Sequence, residues 1–165
     1  MMPNSELPKI DSKTLAAYIL CKYGAMSHLK LQKLVYFIEG YHLAYFQGSS
    51  LVYDDFEAWA HGPVSRTLYD ELKEYAVLYG DVKYDIEKGE QSPIDILINK
   101  LCSSQIELID EVIELYISET GMTLEGITHQ QTPWITARQG LPPYMKCSNI
   151  IDKKQMQEYF SKLLN

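Results

Sequence analysis

The segment from His28 to Phe46 constrains this fold more than any other part of the sequence. Leu31, Leu34, Ile38, Tyr41 and Tyr45 recur at three- and four-residue spacing, the period of one helix face. Leu29, Val35, Phe37 and Ala44 fill most of the other sides, and a helix apolar nearly all round must be surrounded by other elements. Ser27 is placed to cap its start. Gly40 stands in mid-helix at a cost of up to ~1 kcal/mol against alanine, which close approach of another helix would explain. The chain is therefore expected to wrap a central helix, and 165 residues suffice for one such core.

Helix signals recur on both sides. Asp11 or Ser12 can cap a helix to Tyr23, stopped by Gly24. Ser65 opens another to about Tyr79, ahead of Gly80. Ser92-Pro93-Ile94-Asp95 combines a cap, an N1 proline and an acid at N3. Ser104-Gln105-Ile106-Glu107 opens a longer helix to Thr120. Thr123 then caps a short one over 124–129, another covers 133–139, and a last one covers 153–164. The β signal is confined to Leu51-Val52-Tyr53 and Phe56-Glu57-Ala58-Trp59-Ala60, two short strands around an acidic turn at Asp54-Asp55, with a short extended piece at Val82–Ile86. The expected fold is mainly α: a single compact helical domain of about seven helices with a small central β-ribbon. It spans 11–165, behind a flexible N-terminal arm at 1–10.

The first two helices have the lengths of a helix-turn-helix. A recognition helix must show polar side chains to the groove, and here only His28, Lys30, Gln32 and Lys33 could, so a core pair is expected instead.

Charge is distributed unevenly. Residues 1–50 carry +2, residues 51–125 carry −12 and residues 126–165 carry +3. The acidic middle repels phosphate backbones and steers cationic partners, so no direct nucleic-acid binding is expected. No apolar run reaches the roughly 18 residues of a membrane span, and MMPNSELPKI lacks the basic and apolar regions of a secretory signal. Cys21, Cys102 and Cys147 are odd in number with no CxxC, which fits a reducing cytoplasm rather than a disulfide framework.

Chemistry finds little support. His28, His42, His61 and His129 lack zinc-protease spacing and no cysteine lies at ligand distance from them in sequence. GxSxG, GxGxxG and GxxxxGK[ST] are absent. No catalytic, cofactor-binding or metal residue is assigned, and no cofactor is expected. The alternative is a small cytoplasmic hydrolase using His61 or His129 with nearby acids. Two surfaces are better candidates for a protein partner. Glu107, Asp110, Glu111 and Glu114 fall at i, i+3, i+4 and i+7, an acidic stripe opposite the apolar Ile106, Ile109, Val112, Ile113, Tyr116 and Ile117. Tyr53, Asp54 and Asp55 mark the ribbon, in a chain with 13 tyrosines, a residue suited to half-buried positions and interfaces.

Three motifs occur in order: Lys30-Leu31-Gln32-Lys33-Leu34-Val35-Tyr36-Phe37, then Glu57-Ala58-Trp59-Ala60-His61-Gly62-Pro63-Val64 with Tyr69, then Thr128-His129-Gln130-Gln131-Thr132-Pro133-Trp134. Together they resemble the SocA-like, or Panacea, antitoxin domain, over about residues 12–160; that family includes phage-associated proteins. The resemblance implies a non-enzymatic antitoxin of a bacterial or prophage toxin-antitoxin system. Its members bind and neutralise a toxin usually encoded by the adjacent gene, here expected to be basic. The name-giving member is also a proteolytic adaptor for an ATP-dependent protease. Leu31, Lys33, Tyr36, Trp59, Gly62, Pro63, Val64, Tyr69, Thr128, His129, Pro133 and Trp134 carry the resemblance and are read as mainly structural. Trp59 and Trp134 are expected core fillers, Gly62-Pro63 the turn into the next helix, and Thr128 and His129 polar pins.

Overall fold

The apolar helix is central because its neighbours close over it on all sides. In a computed structural model that describes residues 7–85 and 91–164, α2 (His28–Tyr45) is buried from His28 to Leu43 except at the half-buried Lys30. The Ser27 hydroxyl caps it, accepting from Lys30 N at 3.1 Å. Around it lie α1 (Ser12–Tyr23), α3 (Arg66–Leu72), α5 (Ser103–Tyr116), α6 (Gly121–Thr128) and α8 (Lys153–Leu163). α4 (Pro93–Lys100) rests on α1, and α7 (Thr132–Ala137) on α8. The mainly α fold is as expected, with eight helices among the described residues. His28, Gln32 and Lys33 are fully buried, so α2 is a core helix and offers no groove-reading face.

Gly40 is where α8 comes closest. A Cβ built there would lie 2.3 Å from the Phe160 ring, inside any permissible contact. Gly40→Ala is expected to lose about 1–3 kcal/mol through overpacking despite alanine's better helix propensity. Chemical denaturation of Gly40→Ala alone and with Phe160→Leu checks this: the second change should recover part of the loss.

A buried carboxylate locks this packing. Glu39 Oε1 accepts from Leu51 N at 2.7 Å, and Oε2 accepts from Ser50 Oγ at 2.9 Å and Lys153 Nζ at 2.7 Å. The loop after α2 and the start of α8 are thereby tied to the central helix.

The β structure corrects the expected ribbon. β2 (Glu57–Trp59) pairs antiparallel with β3 (Gly62–Val64) about a turn at Ala60-His61, and Leu51–Tyr53 is not a strand of it. The reason is Asp54, which is buried rather than at a turn tip: it accepts from the Ser12 hydroxyl and from Ser65 Oγ at 2.5 Å. Ser12 is the first residue of α1 and Ser65 the cap of α3, so the carboxylate joins two helix starts. A second pair, β1 (Met26–Ser27) with β4 (Asp81–Val82), takes up part of the extended piece expected at 82–86; Ile86 lies outside the described residues.

Three helix ends also move, for one physical cause. The first amides of a helix need acceptors, and those of α2 take Gly80 O and Leu78 O, at 2.9 and 2.7 Å. The chain after Leu72 therefore turns instead of continuing helical to Tyr79. Thr120, not Thr123, caps α6 by accepting from Thr123 N at 3.1 Å, which ends α5 at Tyr116. Within the stretch expected as a loose arm, Ile10 is buried and donates its N–H to Leu51 O at 2.9 Å, while residues 1–6 lie outside the described residues.

Candidate partner-binding surfaces

The acidic helix face divides in two. Glu107, Glu111 and Glu114 are exposed on α5, because Leu108, Ile109, Val112 and Ile113 turn the other side into the core. Asp110 is not free. Its carboxylate accepts from Tyr18 Oη at 2.6 Å, Lys22 Nζ at 2.8 Å and Tyr23 Oη at 3.0 Å, fastening α5 to α1. Burial, aided by that carboxylate, pushes the Tyr18 phenol up to about 12, and the hydrogen bond to Asp110 raises the Lys22 ammonium. Three carboxylates, not four, face solvent.

The second expected surface also contracts. Tyr53 and Asp55 are exposed, with Lys9 Nζ 5.9 Å from the Tyr53 ring centre, while Asp54 is the internal joint described above.

Most motif residues converge beneath the β2–β3 turn. Leu31, Lys33, Tyr36, Val64 and Thr128 are fully buried, with Gly62, Pro63, Pro133 and Trp134 also inside. Gly62 has φ +88°, and a Cβ there would meet Thr128 Oγ1 at 2.5 Å and Lys33 Cε at 2.8 Å, so glycine is required twice over. Lys33 Nζ donates to Pro63 O at 2.8 Å. Burial drives its ammonium down to about 7, only partly opposed by Glu125. Tyr36 Oη donates to Gln131 Oε1 at 3.0 Å, and burial raises its phenol. Thr128 Oγ1 donates to Glu125 O at 2.7 Å and His129 Nε2 to Ala60 O at 2.8 Å. Trp134 stacks on His129 and donates Nε1–H to Trp59 O at 2.8 Å. Lys33, His129 and Trp134 thus hold carbonyls of the turn and its strands, Thr128 bonds back within α6, and Tyr36 ties α2 to the start of α7 through the Gln131 side chain.

Trp59 departs from expectation. It is half-buried, donating Nε1–H to Glu57 Oε1 at 2.9 Å, with the Arg66 guanidinium 4.7 Å from its ring centre and Tyr69 edge-on at 4.9 Å. Its strand position sends the ring to the outer face, while the neighbouring Ala58 faces the core. Trp59, Arg66, His61, Leu78 and the 146–148 segment line a cleft of about 570 Å³. His61 Nδ1 lies 3.2 Å from Tyr79 Oη and 3.3 Å from Glu125 Oε1. His129 is committed to Ala60 and Trp134. The two histidines of the hydrolase alternative thus serve different neighbours. Among the described residues no group of three His, Cys, Asp or Glu could hold a metal, and no helix is long and apolar enough to cross a membrane.

Sequence reasoning missed Arg138, which is fully buried. Nη1 donates to Ala58 O at 2.8 Å, and Nη2 donates to Pro142 O and Met145 O, each at 2.6 Å. It thereby fixes the 141–145 loop against β2. Nothing in Ala137-Arg138-Gln139-Gly140 signals this. Glu39 was detectable in principle, as a lone acid amid the apolar run of α2.

The sequence model for "Antitoxin SocA-like, Panacea domain" matches residues 31–135, well over half of the chain and including every motif residue from Leu31 to Trp134. No curated protein and no solved structure matches the chain.

Proposed function

The chain belongs to the SocA-like, Panacea-domain antitoxin family, and on that premise we propose that it binds and neutralises a protein toxin of a bacterial or prophage toxin-antitoxin system. It acts in the cytoplasm without catalysis or cofactor, and the toxin is encoded by the adjacent gene. The family match carries this reading. The interior placement of the motif residues supports it, because they maintain a scaffold and leave partner choice to the surface. Delivery of the bound toxin to an ATP-dependent protease is a second step open to such a complex, read out as loss of the toxin in cells. Operator binding is not part of the proposal, since the central −12 field opposes phosphate.

Glu107, Glu111 and Glu114 form the proposed docking strip for a basic toxin, with Tyr53 and Asp55 as a second contact. Exposed charges act mainly by steering, so Glu111→Lys/Glu114→Lys should slow association with little change in stability. The effect should shrink as salt shortens the Debye length from about 10 Å at 0.1 M to about 3 Å at 1 M. Co-expression provides the overall test: the adjacent open reading frame should be toxic alone and harmless with this chain. A neighbour that is harmless alone, or toxic regardless, overturns the proposal. Unchanged association kinetics in the double variant remove only the strip.

A further inference from the structure

The cleft beside Trp59 is lined by basic side chains in an acidic protein. The chain carries −7 overall, yet the described residues lining this cleft include Arg66, Lys146 and His61 and no acid. Arg66 and Trp59 are fixed in place by one carboxylate behind them: Arg66 Nη2 and Trp59 Nε1 both donate to Glu57 Oε1, at 3.2 and 2.9 Å. Lys146, also in the lining, is exposed and makes no ion pair among the described residues. Both flanking segments display large apolar side chains to solvent. Tyr75, Val77 and Tyr79 are 80, 66 and 61% exposed, and Tyr144 is 83% exposed beside Met145. The second segment is held in shape, since Arg138 grips Pro142 O and Met145 O from inside. Preformed concavity, aromatic walls and a few fixed polar groups are the usual anatomy of a recognition site.

We propose that this cleft binds an extended segment of a protein partner that presents a carboxylate beside an apolar or aromatic side chain. The carboxylate sits between Arg66 and Lys146, and the apolar neighbour packs on the tyrosine-bearing flanks. The inference rests on the reading that the chain binds a protein, and it names what that protein must offer. Cationic and aromatic side chains also serve single-stranded nucleic acid. Peptide is favoured here because the flanks are apolar rather than basic.

The test titrates the ¹⁵N-labelled full chain with blocked tetrapeptides, acetyl-Ala-Asp-Phe-Ala-amide and its Asn and Lys counterparts, and with oligothymidylate. The Asp peptide should shift the Trp59 indole N–H and the amides of Lys146, Cys147 and Ser148. The Asn peptide should bind several-fold more weakly and the Lys peptide should leave these signals unmoved. Lys146→Glu should weaken the Asp peptide roughly tenfold, whereas Lys154→Glu on α8 should not. Absence of a response at Trp59 up to about 10 mM peptide, equal response to the Lys peptide, or a stronger response to oligothymidylate overturns the inference. The two readings fail separately. A chain that neutralises no adjacent-gene product but binds the Asp peptide keeps the cleft site and loses the antitoxin role. A chain whose Lys146→Glu variant neutralises undiminished, with no peptide shift in the parent, keeps the role and loses the cleft.

Discussion

Trp134→Ala is expected to lower the unfolding free energy by about 3–5 kcal/mol, the range for deleting a large buried aromatic. The indole is 4% exposed, stacks on His129 at 4.4 Å between ring centres and lies 4.9 Å from the Arg138 guanidinium. Its removal empties the space beneath the β2–β3 turn and frees Trp59 O of its only indole donor. Trp59→Ala should cost much less, because that ring is half-buried in the cleft wall. Urea denaturation of the two variants side by side decides the matter. Equal losses would mean that both rings fill the core.

Lys33 governs the second large effect, the pH dependence of stability. Its ammonium is lowered from the ordinary 10.5 to about 7 by burial. Between these values the unfolded chain holds a proton that the folded chain has released, so stability rises with pH across that window. The whole span corresponds to at most about 5 kcal/mol. Above pH 10 the sign reverses: Tyr18, Tyr23, Tyr36 and Tyr116 are all raised, chiefly by burial, and the unfolded phenols ionise first. Below 6.5 the lowered imidazoles of His28 and His42 add a further loss, since the unfolded chain takes up their protons first. Denaturation at pH 6 and pH 9 should show the parent gaining stability on the alkaline side. Lys33→Met should flatten that gain, being more stable than the parent at pH 6, where a buried charge is removed, and less stable at pH 9, where Pro63 O loses its donor. Parallel profiles for parent and variant would show that Lys33 keeps its ordinary proton affinity.

The parts of the fold legible in the sequence are those fixed by local pattern. The apolar surround of α2 demanded a central helix, and Gly40 marked the approach of another. Ser27, Asp11, Ser65, Ser92 and Asp152 each cap a helix where a short polar side chain precedes a periodic run. The three motifs, in their order along the chain, mark the family.

What a partner can touch was less legible, because identical residue types end in opposite roles. Asp54 and Asp55 are neighbours in sequence, yet one receives two serine hydroxyls inside the protein and the other faces solvent. Asp110 belongs to the same helical stripe as Glu107, Glu111 and Glu114, but α1 brings two phenols and an ammonium to it alone. The cleft is built from β2, α3 and a loop about 80 residues further on, joined by a buried arginine that no local signal announces. The sequence by itself determined where the helices lie, most of their caps and the family, since those depend on spacing and short-range hydrogen bonds. Only the tertiary structure decided which charges are spent inside and which remain for a partner. A charged group's fate depends on donors and acceptors delivered from distant segments, and on whether burial leaves it water.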